Sequence, residues 1–187
     1  MFISIDTGLN ELDQLAELPV TLAMTEAGLF LERLVSEPTF LRAEILPLLG
    51  RVAPSRDPYI ARTYLSPMGG CSLQFFVWAP GAGTPIHDHT SWGAYTCVVG
   101  SLQEERYERL DDGTEPNRAR LRAAWRRMWR RGDGATTVAP YDGGIHRITN
   151  PGSRPAISVH LYGPRMGSLD GRDYDPSRDY VCDRFED

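Results

Sequence analysis

Lysine, cysteine and histidine are scarce in this sequence. Among 187 residues there is no lysine, and only three cysteines and four histidines are present. The cysteines, Cys71, Cys97 and Cys182, are odd in number and irregularly spaced, which excludes a disulfide framework and a thiolate zinc site. We expect reduced thiols, with Cys71 and Cys97 in the core.

Long apolar runs and a strong net charge are also missing. No run reaches the length of a membrane span, and Met1–Asp6 lacks the charged and apolar blocks of a signal peptide. A net charge of −5 argues against a dedicated nucleic-acid binder, because duplex affinity depends on neutralising phosphates. We therefore expect a cytoplasmic protein with neither a membrane nor a nucleic-acid partner.

Length and periodicity predict one domain, residues 1–187, in three parts. With 41% hydrophobic residues the chain can bury one core. Residues 1–50 have leucines at helical spacing, 55–165 alternate with the period of a strand, and 166–187 form a C-terminal arm. Short strands at intervals of roughly ten residues, separated by Gly and Pro, predict an all-β fold with N-terminal helices and an antiparallel β-barrel or jelly roll.

Seven arginines lie within residues 118–131, among Trp125, Met128 and Trp129. A basic stretch with interleaved aromatics could contact nucleic acid. Charge balance favours instead a solvated strand pair, in which the arginines face the acidic stretch at 104–112.

All four histidines fall in three short strand-like segments. His87 and His89 lie two apart, so on a strand both imidazoles point to one face. His146 follows a Gly-Gly turn and could supply a third nitrogen from a neighbouring strand. Neutral imidazoles suit Fe, Zn, Cu or Ni, and three of them leave part of the coordination sphere open to substrate. The pattern therefore predicts a catalytic metal site.

Two longer motifs around these histidines resemble those of the cupin superfamily. They are Gly81-x5-His87-x-His89-x3-Gly93-x6-Gly100 and Gly134-x5-Pro140-x2-Gly143-x2-His146-x3-Asn150. The usual first motif carries a glutamate ligand where this chain has Gly93. That replacement, together with the later Ser158-x-His160-x-Tyr162, is similar to the thiol dioxygenases of the cysteine dioxygenase type. The resemblance covers roughly residues 55–165.

The resemblance implies that His87, His89 and His146 hold Fe(2+), because three histidines hold ferrous iron in that family. Three neutral ligands would leave the site with the full 2+ charge. Such a site can attract an anionic thiolate and lower the pKa of a bound thiol, much as metals do for water.

The resemblance also implies a relay of Ser158, His160 and Tyr162 beside the iron, in which His160 orients the Tyr162 hydroxyl towards substrate or oxygen. A satisfied buried polar pair is the alternative for Ser158 and His160, but three polar side chains in alternation favour the relay. Animal members crosslink the relay tyrosine to a cysteine at the place of Gly93 or Ala94, so Tyr162 should be unmodified here.

Arg62 lies near the place where cysteine-specific members carry an arginine that binds the substrate carboxylate, and its planar fork suits a bidentate pair. An ordinary surface arginine is the alternative. Relatives that prefer 3-mercaptopropionate have glutamine near this position, and Arg165 and Arg147 are weaker candidates.

The resemblance thus implies an Fe(II)-dependent thiol dioxygenase that adds both atoms of O2 to the sulfur of a small carboxylated thiol. L-Cysteine is the first expectation and 3-mercaptopropionate the alternative, in a monomer or weak homo-oligomer. A zinc- or nickel-loaded cupin such as an isomerase is a rival, although it would want a fourth protein ligand. A non-catalytic binding cupin is the third possibility, although a pure binder has no need of a relay.

Overall fold

The computed structural model describes residues 5–50, 57–164 and 171–183. The helical part comprises α1 (Ile5–Ala16), α2 (Val20–Ser36) and short pieces at Pro38–Phe40, Leu41–Ile45 and Leu46–Leu48. The strands that follow are β1 (Tyr59–Leu65), β2 (Ser72–Trp78), β3 (Ile86–His87), β4 (Gly93–Val99), β5 (Ser101–Arg109), β6 (Leu121–Arg130), β7 (Thr136–Val138), β8 (His146–Thr149), β9 (Ala156–Tyr162), β10 (Arg172–Asp175) and β11 (Tyr180–Asp183). A short 3-10 helix, Tyr141–Gly144, precedes β8.

The strands form two antiparallel sheets. The first has the order β1-β2-β9-β4-β7 and the second the order β11-β10-β3-β8-β5-β6. This arrangement confirms the predicted fold class, a mostly β protein with N-terminal helices. Helix α2 ends at Ser36, and Pro38 begins the next helical piece, where the N–H that proline lacks would have no partner within the helix.

Side-chain alternation on the first sheet separates the core from the site. On β9 the apolar Ile157, Val159 and Leu161 join the cluster formed with the helices. Ser158 and His160, which alternate with them, point to the other face and are also buried. Both faces of β9 are therefore covered, one by helix α2 and the other by the second sheet.

A second cluster lies between the two sheets. Trp78, Tyr95 and Cys97 of the first sheet meet Leu102 and Trp129 of the second. Packing of these large side chains fixes the separation of the sheets, and polar inward residues lie beside them.

The C-terminal arm becomes part of the second sheet, because β10 pairs with both β3 and β11. Gly171 brings its backbone so close to Asp88 that a Cβ there would lie 2.1 Å from the Asp88 carbonyl oxygen. Within the described part of the arm, residues 171–183, Tyr174 lies in β10 and Tyr180 and Val181 lie in β11.

The arginine-rich stretch forms β6, which pairs with β5. Arg122 contacts Glu108 and Arg126 contacts Glu105, so the predicted pairing of arginines with the acidic stretch is confirmed. In the described part of the chain, no helix combines the length and the apolar character that a membrane crossing needs.

Candidate metal centre

Three histidines from two strands and a loop converge on one point. His87 of β3 lies directly opposite His146 of β8, and His89 follows two residues later. One nitrogen of each imidazole lies within 4.8 Å of the others, and the Nε2 atoms of His89 and His146 are 3.2 Å apart. Among the described residues this is the one group of three or more His, Cys, Asp or Glu side chains close enough to share an ion.

The donor set of this group fits a divalent transition metal. Burial, reinforced by His87 and Arg106, holds the pKa of His146 well below its usual value, so its imidazole is the neutral, metal-binding form. Nδ1 of His87 contacts the Pro85 carbonyl oxygen at 3.0 Å, which leaves Nε2 as its ligand atom. The three histidines could therefore hold a metal, with no carboxylate in the group.

The only carboxylate between the histidine ligands is already engaged. Asp88 is 1% exposed and accepts four hydrogen bonds, from the backbone N–H, Nε and Nη2 of Arg172 and from the Tyr174 hydroxyl. These bonds join the arm to the histidine segment, and they hold the Asp88 carboxylate in a role other than metal binding.

The predicted polar residues of β9 form a continuous hydrogen-bonded chain. Ser158 Oγ lies 2.8 Å from His160 Nε2, and His160 Nδ1 lies 3.1 Å from the Tyr162 hydroxyl. Trp78 extends the chain, because its indole N–H donates to Ser158 Oγ at 2.8 Å. The Tyr162 ring in turn packs 5.2 Å from the His89 ring, between centroids, so the chain ends at the metal centre.

The donors of this chain run in one direction. Trp78 can only donate, and the hydrogen of the fully buried Ser158 hydroxyl is satisfied when it is directed to His160 Nε2. In that tautomer His160 carries its proton on Nδ1 and donates it to the Tyr162 oxygen. The Tyr162 hydroxyl hydrogen is then available to a partner in the cavity.

Burial keeps both relay groups uncharged. It lowers the pKa of His160 to about 3, so the imidazole is neutral at ordinary pH, and it raises the pKa of the Tyr162 hydroxyl above its usual value. The His160 ring stacks on Tyr95, with centroids 4.9 Å apart, and contacts Phe76 at 4.6 Å. Its orientation is therefore fixed by packing as well as by hydrogen bonds.

The metal centre opens into two chambers that meet at His89 and Tyr162. The larger, about 390 Å³, has apolar walls that include Ile60, Phe76 and Ile148. The smaller, about 340 Å³, is polar and is lined by Ser72, Gln74, Thr90 and Ser91. Among the described residues that line the two chambers there is no arginine.

Comparison with known families gives the geometry a context. Residues 58–175 match the family described as Cysteine dioxygenase type I. The chain belongs to this family. The matched region contains His87, His89, His146 and the Ser158, His160 and Tyr162 set, and the predicted membership of the cysteine dioxygenase type is confirmed.

The solved structures that this chain resembles include an oxalate oxidase and two proteins described as cupins. A recombinant oxalate oxidase in complex with glycolate is 20% identical, with a TM-score of 0.46 over 62% of this chain and 55% of that one. This chain therefore spans about half of that oxidase. An RmlC-like cupin of Methanocaldococcus jannaschii is 11% identical (TM-score 0.42, 62% of this chain and 87% of that one). A cupin 2 conserved barrel protein of Salinispora arenicola is 17% identical (TM-score 0.39, 57% and 73%). At these TM-scores the likenesses say nothing about activity.

Arg62, the predicted carboxylate clamp, lies on the outer face of the first sheet and does not line either chamber. A β-bulge at Ala61 shifts the phase of β1, so Ile60 lies opposite the inward Phe76 while Arg62 lies opposite the outward Phe75. On that outer face Arg62 forms an ion pair with Glu44 of the helical segment.

Of the two weaker arginine candidates, the structure describes one. Arg147 forms an ion pair with Glu105, at 2.5 Å between Nη2 and Oε2. Arg165 lies outside the described residues.

Gly93 lies beneath the ring of Tyr162, where a Cβ would be 3.3 Å from Cδ1 and Cε1 of that ring.

Two residues of the site, Trp78 and Glu104, were not predicted from the sequence. Trp78 donates to Ser158 from the neighbouring strand, and Glu104 contacts Nδ1 of His146 at 3.1 Å. The only sequence signal for Trp78 was its place in the two-residue alternation of β2, on the same face as Gln74 and Phe76. The single signal for Glu104 was its place in a period-two stretch, which it shares with several other acidic residues.

The neutral buried imidazole of His160 predicts a pH dependence of stability. The unfolded chain binds a proton at His160 below about pH 6.5, whereas the folded chain binds it only near pH 3. The free energy of unfolding should therefore decrease as pH falls through this window, by up to about 1.4 kcal/mol per pH unit from this group. Urea denaturation of the wild type and of His160→Gln at several pH values measures the slope. The slope should be smaller in the variant, and equal slopes would contradict a neutral buried His160.

Proposed function

We propose that this member of the cysteine dioxygenase type I family is an Fe(II)-dependent thiol dioxygenase that converts a small carboxylated thiol to its sulfinate. L-Cysteine is the first expected substrate and 3-mercaptopropionate the alternative. The observation that supports the proposal is the convergence of three histidines, with no carboxylate among them, beside the hydroxyl of a buried tyrosine.

The charge of the site favours a thiolate. His87, His89 and His146 contribute no negative charge to a bound cation, so an anionic sulfur is attracted to a buried site that would otherwise carry a charge of 2+. Bound Fe(II) would supply the redox chemistry by which both atoms of O2 end on the sulfur. The chain supplies the charge of the site, its orientation and the access to it.

The relay presents a proton donor to this site. Its hydrogen bonds run from Trp78 through Ser158 and His160, and they leave the Tyr162 hydroxyl hydrogen available to a partner in the cavity. Because the pKa of Tyr162 is raised by burial, this group holds its proton and can donate a hydrogen bond to a negatively charged substrate atom. The role of the relay is thus to orient a neutral hydroxyl.

The remote end of the substrate would lie in the polar chamber. Gln74 lies opposite His160 in the register of β2 and β9, and Ser72 lies opposite Tyr162. Both side chains line the chamber next to the metal centre, and the Gln74 amide can donate to a carboxylate. We infer that these residues hold the carboxylate, because they line the chamber whereas Arg62 lies on the outer face beside Glu44.

Oxygen uptake tests the proposed reaction. Iron-loaded protein is supplied in parallel with L-cysteine, 3-mercaptopropionate and cysteamine, and sulfinate is identified by mass spectrometry. A carboxylated thiol should be consumed with one O2 per sulfinate, and cysteamine, which lacks the carboxylate, should react more slowly. Consumption with none of the three would contradict thiol oxidation.

Two variants locate the carboxylate site in the same assay. Gln74→Leu should raise KM for the carboxylated thiol by about tenfold or more, since it removes a hydrogen bond to a charged group. Arg62→Ala is the matched control, and its KM should stay at the wild-type value because Arg62 faces Glu44. A raised KM in Arg62→Ala, with the wild-type KM in Gln74→Leu, would show that Arg62 binds the carboxylate instead.

The relay is tested by removing one hydroxyl group. Tyr162→Phe should lower kcat by about 100-fold, because a positioned proton donor typically contributes at least this factor to the rate. The iron content should not change. Tyr64→Phe is the control, because this tyrosine donates to Glu44 on the outer face of the same sheet. Stopped-flow or steady-state oxygen uptake measures both, and equal activities in the two variants would show that Tyr162 takes no part.

A further inference from the structure

Glu104 is a carboxylate without solvent contact that lies behind the metal centre. Its side chain is 0% exposed, and it accepts hydrogen bonds from three directions. Nδ1 of His146 lies 3.1 Å and Nε of Arg106 2.5 Å from Oε1, and the indole N–H of Trp129 lies 2.8 Å from Oε2. Because the Arg106 guanidinium and the Trp129 indole can only donate, both oxygens of Glu104 are hydrogen-bond acceptors.

The contact between Glu104 and His146 follows from strand register. Strand β5 pairs with β8 so that Arg106 lies opposite His146 and Glu104 lies opposite Ile148. Glu104 and Arg106 are two apart, so their side chains share the inward face with the histidine. The geometry that brings His146 to His87 therefore also brings a carboxylate to the back of its ring.

This carboxylate fixes which nitrogen of His146 faces the metal centre. An acceptor beside Nδ1 stabilises the tautomer with hydrogen on Nδ1, which leaves the lone pair on Nε2. Nε2 is the atom that lies 3.2 Å from His89 Nε2. A histidine ligand held in this way has the correct tautomer and ring orientation before a metal arrives.

Arg106 keeps the carboxylate out of the coordination sphere and balances its charge. Its Nη2 also donates to the Thr137 carbonyl at 2.7 Å, and its guanidinium lies 5.6 Å from the centroid of the Trp125 ring. Held from both sides, the Glu104–Arg106 pair adds no net charge behind His146. The positive charge that a bound cation would offer to a thiolate is therefore preserved, although the Glu104 carboxylate lies directly behind the His146 ring.

We propose that Glu104 is a positioning residue of the metal centre, which sets the tautomer and orientation of His146, and that Arg106 holds it in that role. The inference rests on the proposed metal site. It does not depend on which thiol is oxidised.

The test replaces the buried pair without leaving a buried charge behind. In the double variant Glu104→Leu/Arg106→Met both charges are removed together, which usually preserves folding better than removing one. The control is Glu105→Leu/Arg126→Met, which removes an ion pair between Glu105 of β5 and Arg126 of β6. Glu105 alternates with Glu104 along β5 and therefore lies on the face opposite to His146. Affinity for Co(II), measured by competition with a chelating dye, should fall about 10- to 100-fold in the first variant and stay near the wild-type value in the control.

A second measurement reports the tautomer directly. The metal-free full chain, labelled with ¹⁵N-histidine, has only four imidazoles to assign. Wild type should show His146 with hydrogen on Nδ1, and the Glu104→Leu/Arg106→Met variant should lose that preference. A destabilised core alone would not produce a tautomer change confined to one ring.

A milder variant covers the case in which the double variant does not fold. Glu104→Asp keeps the charge and the ion pair but withdraws the carboxylate from Nδ1, so Co(II) affinity should still fall by several-fold. Wild-type affinity in Glu104→Asp, or unchanged affinity and tautomer in the double variant, would overturn the inference. That result would leave the proposed thiol oxidation by the wild type untouched. Conversely, normal Co(II) binding without oxygen uptake would contradict the proposed reaction but not the role of Glu104.

Discussion

One antiparallel pairing, that of His87 in β3 with His146 in β8, places two histidines from distant parts of the chain face to face. His89 reaches the same point because it follows His87 by two residues. Two further pairings meet at the same strands, since β5 aligns Arg106 with His146 and β10 pairs with the other edge of β3. The metal centre, the carboxylate behind it and the arm that contacts Asp88 therefore depend on three registers that meet at β3 and β8. A slip of one residue in any of them would turn the side chains of the shifted strand to the other face.

The polar groups of this site are tolerated in a buried location because nearly all have partners. Ser158 and His160 satisfy one another, with Trp78 at one end and Tyr162 at the other. Asp88 is neutralised by Arg172 of the arm. An unpaired group at this depth would cost free energy comparable to a lost hydrogen bond or more. The same contacts that offset the cost of burial also fix the orientation of each functional group, so stability and preorganisation arise together.

Prediction from the sequence was most accurate where side chains two residues apart share a face. Ser158, His160 and Tyr162 do so on β9, and His89 reaches the point that His87 faces although it lies in the loop after β3 rather than on the strand. The resemblance to a known family gave each of these residues a role. Arg62 lies on the outer face, beside Glu44, because a single bulged residue, Ala61, reverses the phase of β1 without leaving a clear mark in the sequence. Trp78 and Glu104 were missed because their partners lie on other strands, and the register between strands is set by tertiary packing.

The most direct test of the central claim is a crystal structure of the protein grown without oxygen in ample Fe(II), with anomalous diffraction measured at the iron edge. The account predicts one iron peak per chain, bonded to Nε2 of His87, His89 and His146, with Glu104 and Asp88 outside the coordination sphere. No iron peak at the three histidines, or an iron coordinated by either carboxylate, would contradict it.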